Sequence, residues 1–274
     1  MNPGASPASP TVIEAADLAA RLPDDELLIV DVGAAETYRK AHLPGAVHLD
    51  YARLILGRPP APGLMPPPAQ LEAALRGIGL AANKHVIAYD DSGNGRASRL
   101  LWTLEALGHA KFSLLNGGLI AWLGEGCATE TTVNEAAPGD FTARPNPAVV
   151  ADKQFVLAAL DDHRFQLLDA RTPEEYHGLK SPSARSGRIP GAVNLNWLDT
   201  IDRDHHLRYK PAAELEAMLA ERGISRDKEI ITYCQTHHRS SHAFMLLRHL
   251  GFDKVRGYPG SWSEWGNAID LPIE

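Results

Sequence analysis

The amino-acid sequence repeats itself, and that repetition limits the folds open to it more than any other feature. LLIVDVGAAETYRKAHLPGAVHLD (Leu27 to Asp50) is matched by FQLLDARTPEEYHGLK…GRIPGAVNLN (Phe165 to Asn196). Each gives an apolar run, an Asp, a helix start with a Tyr seven residues on, and a P-G-A-V turn into another apolar run. Asp31 and Asp169, like Tyr38 and Tyr176, stand 138 positions apart, whereas Pro44 and Pro190 stand 146 apart. The second copy therefore carries eight extra residues around SPSARSGR. PAQLEAALRGIGL pairs with PAAELEAMLAERGI, HVIAYDDSGNGRAS with EIITYCQTHHRSSH, and NGGLIAW with YPGSWSEW. Four blocks matched in one order describe a tandem duplication, and 274 residues suffice for two domains. Residues 11–124 are expected to form an N-terminal domain, 125–147 a linker and 148–274 a C-terminal domain.

Within each copy, short apolar runs (Leu28-Ile29-Val30, Val86-Ile87-Ala88) alternate with segments of helical period (Leu71/Leu75/Ile78, Leu100/Leu101/Leu104/Leu107). That alternation predicts an α/β fold in which each repeat is a mostly parallel sheet with helices on both faces. Strands covered on both faces are continuously apolar, as these are. The linker EGCATETTVNEAAPGDFTARPNP is polar and broken by Pro and Gly. Phe141 offers it an apolar anchor, so it is expected to lie ordered along the domain interface. The proline-rich RPPAPGLMPPP reads as a loop before a helix.

A net charge of −7 argues against nucleic acid as the main partner, because phosphate binding needs a concentrated basic surface. No apolar run approaches the roughly 18 residues of a membrane span. MNPGASPASP has neither the charge nor the apolar core of a signal peptide and reads as a frayed terminus. Two cysteines cannot build a disulfide framework, so a reducing, cytoplasmic compartment is expected.

One of those cysteines is placed like a nucleophile. Cys234 ends the strand-like run ITY, and the polar loop QTHH then leads into an apolar helix beginning near Ser240–Ser241. Ligands of open parallel sheets bind beyond the carboxyl ends of the strands. A tight strand–loop–helix turn points backbone N–H groups and the positive end of a helix dipole at the sulfur. Both favour the thiolate, and Arg239 adds a positive charge. Buried cysteines are often only packing residues, but the flanking polar loop favours reactivity here. Cys127, in GEGCATET, has no strand before it and no basic loop after it, and reads as a bystander.

The tandem repeat, the D-x-R after a strand, the G-R-I-P-G-A turn, the YC loop and the closing GSWSEWG resemble the two-domain rhodanese sulfurtransferases, over about Val12 to Asn267. The loop C-Q-T-H-H-R-S is similar to that of a bacterial thiosulfate sulfurtransferase group. The resemblance implies two rhodanese-like domains, an inactive first repeat with Asp90 opposite Cys234, and a catalytic Cys234 that carries a persulfide. It implies that Gln235, Thr236, His237, His238, Arg239 and Ser240 cradle the sulfur and bind the donor. Trp197 is a candidate wall of that pocket, and Asp169 and Arg171 resemble a structural pair supporting the loop.

There are departures. The loop matches neither the C-G-S-G-V-T of mercaptopyruvate enzymes nor the C-R-K-G-V-T of animal thiosulfate enzymes. Glu175 stands where those enzymes tend to place an arginine, which counts against the carboxylate-bearing mercaptopyruvate. The expected donor is thiosulfate, the acceptor cyanide or a thiol, and a sulfur-accepting protein is a further candidate partner.

A pre-formed thiolate needs no general base and no cofactor. Cysteine phosphatases resemble this loop with C-x5-R, but C-x4-R is one residue shorter and better sized to a sulfur atom. A persulfide carrier is a third reading. His237–His238 lack the surrounding ligand pattern of a metal site and are expected to tune the field or meet an anionic substrate. His205–His206, in the charged IDRDHHLRY, read as solvated, and Trp262 and Trp265 as packing residues.

Overall fold

The computed structural model describes residues 11–274, so the expectation for MNPGASPASP lies outside the described residues. In the first repeat the strands are β1 (Val12–Ile13), β2 (Leu27–Asp31), β3 (Val47–His48), β4 (His85–Tyr89) and β5 (Phe112–Leu115). They form one sheet in the order β1-β5-β4-β2-β3, and every pairing in it is parallel. Its helices are α1 (Ala15–Ala19), α2 (Ala35–Lys40), α3 (Pro68–Gly77), α4 (Gly95–Ala106) and α5 (Gly118–Gly124).

The second repeat has the strands β6 (Phe165–Asp169), β7 (Val193–Asn194), the pair β8 (Ile201–Asp202) and β9 (Arg208–Tyr209), β10 (Glu229–Tyr233) and β11 (Val255–Gly257). Its helices are α6 (Lys153–Ala159), α7 (Pro173–Tyr176), α8 (Ala212–Glu221), α9 (Arg239–His249) and α10 (Ser261–Trp265). The order β11-β10-β6-β7 reproduces β5-β4-β2-β3 of the first repeat, again all parallel. At the edge where β1 joins β5, the second repeat keeps only a bridge between Val150 and Gly257.

The period of two along each strand divides the apolar side chains between two layers. In β2, Leu27 and Ile29 face an outer layer with Leu18, Ile87 and Trp122. Leu28 and Val30 face a second layer with Val86, Ala88, Leu101 and Trp102. That second layer runs on into Phe244, Met245 and Leu247 of α9, so the two repeats share it. A third layer, with Leu167, Ile231, Tyr233, Trp262 and Trp265, covers the far face of the second sheet. Each large apolar side chain buried in this way contributes about 1.5–3 kcal/mol. The shared layer thus fixes α4 against α9, and with it the two loops that precede those helices.

The duplication persists in detail. Tyr38 Oη donates to the Ala46 carbonyl and Tyr176 Oη to the Ala192 carbonyl, both at 2.7 Å. Two sequence expectations need correcting. Most of residues 125–147 does not run along the domain interface: its hydrogen bonds go to the first repeat, from Glu130 to His42, Asn134 to Ala46, Phe141 to Leu80 and Arg144 to Leu107. Only the two ends, Glu125 and Pro147, meet Arg208 and Arg256 of the second repeat. The unpaired edges of that repeat's loops and helices offer those partners, and Phe141 is buried among its side chains.

IDRDHHLRY is not a free loop but an antiparallel hairpin. His205 and His206 are exposed at its tip, yet Arg208 pairs with Glu14 and Glu125 of the first repeat, and Tyr209 N donates to Asn116 Oδ1 at 2.9 Å. As expected, α9 begins next to Ser240–Ser241, at Arg239.

Candidate active site

Cys234 follows β10 directly and its side chain is fully buried. The four carbonyls from Cys234 to His237 are all held from outside the loop. Trp262 N donates to Cys234 O and Ser263 N to Gln235 O, both at 2.9 Å. Arg99 reaches Thr236 O at 3.5 Å and His237 O at 3.4 Å, and Ser241 Oγ donates to His237 O at 2.5 Å. In a planar trans peptide the N–H points opposite to the C=O. Carbonyls pinned outward therefore turn the next amides inward, toward the sulfur and the first turn of α9.

The loop closes through His237 at φ 56°, a left-handed conformation that carries a modest strain in a non-glycine residue. Glycine occupies the matching position of the first repeat, Gly93, at φ 95°.

These donors decide the charge of the sulfur. Burial works against a thiolate, but Arg239, the Ser240 hydroxyl and amide, and the Thr236 amide together outweigh it, and the Cys234 thiol is held below its ordinary range. Arg239 is itself in a two-point ion pair with Glu175, at 2.5 and 2.9 Å. Burial opposes the Glu175 charge, and the Arg239 bonds overcome it, so its carboxyl stays low. Glu175 also closes a capping box with Thr172 at the start of α7. Beneath lies the buried pair of Asp169 and Arg171, with Arg171 donating onward to Gly187 O at 2.8 Å. Removing one member of a buried pair costs about 3–5 kcal/mol.

The first repeat contains the same loop with its anion built in. Asp90 Oδ1 accepts from Ser92 N and Asn94 N, both at 2.8 Å. Its Oδ2 accepts from Arg96 N at 2.9 Å and Ala97 N at 3.1 Å. The residues matching these four donors in the second repeat are Thr236, His238, Ser240 and Ser241. Two of them, Thr236 and Ser240, are amides that already act on the Cys234 sulfur.

The remaining sequence candidates fall in different places. Gln235 donates from Nε2 to Ser183 Oγ at 3.1 Å, which ties the eight-residue insertion to the loop. His238 lies between Tyr51 and Trp197, with ring centroids at 5.8 and 5.9 Å. Burial lowers its pKa to about 4, so it is neutral at pH 7 and brings no positive charge to an anion.

The His237 ring is turned away from any donor. It is buried edge-on to Trp102 at 4.3 Å, with Nδ1 2.7 Å from Ser240 Oγ, and burial also keeps it uncharged. Its contribution is the turn of its backbone, because the left-handed φ points the side chain into the shared layer. Cys127 packs at the end of α5 against the outer layer of the first repeat, and burial and Glu125 raise its thiol.

Reading the sequence alone missed what the first repeat brings: Tyr51, Arg99, and Gly63, where a Cβ would fall on the Thr236 carbonyl. It also missed Ser261, whose hydroxyl accepts from Cys234 N at 3.3 Å. The available signal was Arg99 inside the otherwise uncharged run ASRLLWTL (Ala97 to Leu104), which α4 buries without a break.

A strand-end cysteine under inward-facing amides, on a duplicated parallel α/β frame, defines a class, and the chain belongs to the family of the rhodanese-like domain. That family's model matches residues 14–125 and 152–268. At the level of individual proteins, the chain is 42% identical over 265 residues to the thiosulfate sulfurtransferase of Azotobacter vinelandii, covering 97% of each chain. It is 30% identical over 263 residues to a sulfur carrier protein of Thermus thermophilus, covering 91% of this chain and 88% of that one. A solved 3-mercaptopyruvate sulfotransferase from Escherichia coli superposes with a TM-score of 0.83 at 30% identity, over 93% of this chain and 99% of that one. No helix among the described residues is long and apolar enough to cross a membrane.

Proposed function

We propose that this protein is a thiosulfate sulfurtransferase. Its Cys234 thiolate attacks the outer sulfur of thiosulfate, the S–S bond breaks, and sulfite leaves with the bonding pair. The cysteine persulfide anion that remains carries the transferred sulfur. Cyanide or a thiolate then attacks that outer sulfur and returns the Cys234 thiolate. Charge balances in both steps without a proton, so no general base is called for.

The observation that carries this reading is the loop itself. Four outward carbonyls leave the amides facing one small anionic atom, a preorganised arrangement of the kind that stabilises developing charge. The Thr236, His238, Ser240 and Ser241 amides take the roles that their counterparts play toward the Asp90 carboxylate. Gln235 braces the loop on Ser183, and His237 supplies its turn. His238 and Trp197 form the wall at the mouth. Asp169, Arg171 and Glu175 hold the loop's foundation. The first repeat is inactive, because Asp90 both replaces the nucleophile and fills its cradle. Unpaired cysteines suit a reducing, cytoplasmic setting. The likeness to a sulfur carrier supports a protein as an additional acceptor.

Donor choice tests the assignment. Arg239 is already engaged by Glu175, and the carboxylate of 3-mercaptopyruvate lies several bonds from its sulfur, beyond the amide cradle. Thiosulfate keeps its charge close by, on the transferred sulfur itself and on the three oxygens of the sulfur next to it. We expect kcat/KM for thiosulfate to exceed that for 3-mercaptopyruvate by about tenfold or more, the value of one missing charge-assisted hydrogen bond. A preference for mercaptopyruvate would overturn the assignment. A thiosulfate-dependent persulfide that turns over with a protein acceptor but not with cyanide would instead favour the carrier reading.

A further inference from the structure

Among the described residues, Arg99 is the charged side chain of the first repeat that hydrogen-bonds the loop of the second. It lies on α4 and is fully buried. Its guanidinium donates to Leu54 O at 3.2 Å and Gly63 O at 2.8 Å on one side. On the other it reaches Thr236 O and His237 O, at 3.5 and 3.4 Å. Trp102 stacks beneath it at 4.9 Å. Among the described residues no carboxylate pairs with it. Burying an arginine without a counter-ion is costly, and four neutral carbonyls offset only part of that cost.

The geometry points to Arg99 as a positioning residue for the reaction at Cys234, a role that rests on the sulfurtransferase reading above. It holds the strained His237 peptide so that the His238 amide faces the sulfur, and it brings an unpaired cation to the back of the loop. The peptide logic is direct. The His237 carbonyl and the His238 N–H belong to one plane, so fixing the first aims the second. In the first repeat the corresponding amide, Asn94 N, sits 2.8 Å from the Asp90 carboxylate, and there a glycine makes the turn without strain.

The charge argument is separate. Arg239 is paired with Glu175 and still favours the thiolate, whereas Arg99 has no carboxylate partner among the described residues. Burial lowers the Arg99 pKa, and the groups that oppose this are Tyr51 and the Cys234 thiolate. Burial raises the Tyr51 phenol further above neutrality, which leaves Cys234 as the anion in the Arg99 field. On the other side Cys234 meets Arg239 of α9, which is itself in the field of Glu175 of α7 and of Asp169 at the end of β6, while His237 and His238 in the loop are uncharged.

The test uses the full chain in a Cys127→Ala background, so that thiolate ultraviolet absorbance against pH, taken as the difference from Cys234→Ala, reports Cys234 alone. Arg99→Met should move the thiolate midpoint up by about one pH unit or more, the usual effect of one nearby charge. It should also lower thiosulfate kcat by about tenfold or more, as expected for one misdirected amide donor. Arg99→Lys keeps the cation but cannot span four carbonyls. It should keep the midpoint near that of the parent while kcat still falls about tenfold. An unshifted midpoint in folded Arg99→Met would remove the electrostatic half of the inference. Parental kcat in Arg99→Lys would remove the positioning half, and that variant decides alone if Arg99→Met does not fold.

Discussion

Cys234→Ala should lose thiosulfate:cyanide turnover entirely while retaining its circular dichroism and unfolding midpoint, and Cys127→Ala should match the parent in both. The Thr236 and Ser240 amides, the second of them in the first turn of α9, act on the sulfur of Cys234. Removing it takes away the group that forms the S–S bond, and no neighbouring side chain can replace a thiolate. The fold should tolerate the change. The neighbours act on Cys234 chiefly through its backbone, since Ser261 and Trp262 bond its N–H and carbonyl, and alanine keeps both. After incubation with thiosulfate, mass spectrometry should find one added sulfur on the parent and none on Cys234→Ala. An adduct on Cys127, or residual turnover in Cys234→Ala, would mean that the nucleophile has been misassigned.

The second large effect concerns loop length. Inserting a glycine between His238 and Arg239 creates the C-x5-R spacing of the cysteine phosphatases. Both ends of the present loop are fixed: β10 pairs with β6 up to Tyr233, and Arg239 is tied to Glu175. The added residue must therefore bulge from the ring between them. The Thr236 and His238 amides, which lie between the fixed ends, would move away from the sulfur, and each well-aimed donor lost costs about 10²–10³ in rate. Thiosulfate kcat should fall by that factor or more, with some gain in arsenate or phosphate affinity as the ring widens. Unchanged thiosulfate turnover in a folded insertion variant would show that ring size does not select the substrate.

The repeat, the parallel sheets and the strand-end place of Cys234 were all legible because each leaves a local trace. LLIVD and HVIAY are apolar throughout because both faces are covered, and Cys234 stands where a strand stops and polar residues begin. What escaped was set by partners distant in sequence. Arg239 reads as a free cation until Glu175, 64 positions away, is found on it. His237 and His238 look alike as neighbours, yet a left-handed φ sends one ring under Trp102 and leaves the other beside Tyr51. Phe141 did predict an anchor for the linker, but nothing local could say which domain's surface it would meet. Arg99 was the hardest, because its acceptors are main-chain carbonyls, and carbonyls carry no sequence signature.

The carboxylate of Asp90 has a consequence for stoichiometry. A duplicated chain might have held two sulfur atoms, one in each loop, and passed them on in pairs. With one loop occupied by its own side chain, the function proposed above has each molecule loaded once per cycle and discharged before it reloads. Supplied with excess thiosulfate and no acceptor, the protein should release one sulfite per chain and then stop. Titrated with cyanide, the loaded form should yield the same single equivalent of thiocyanate.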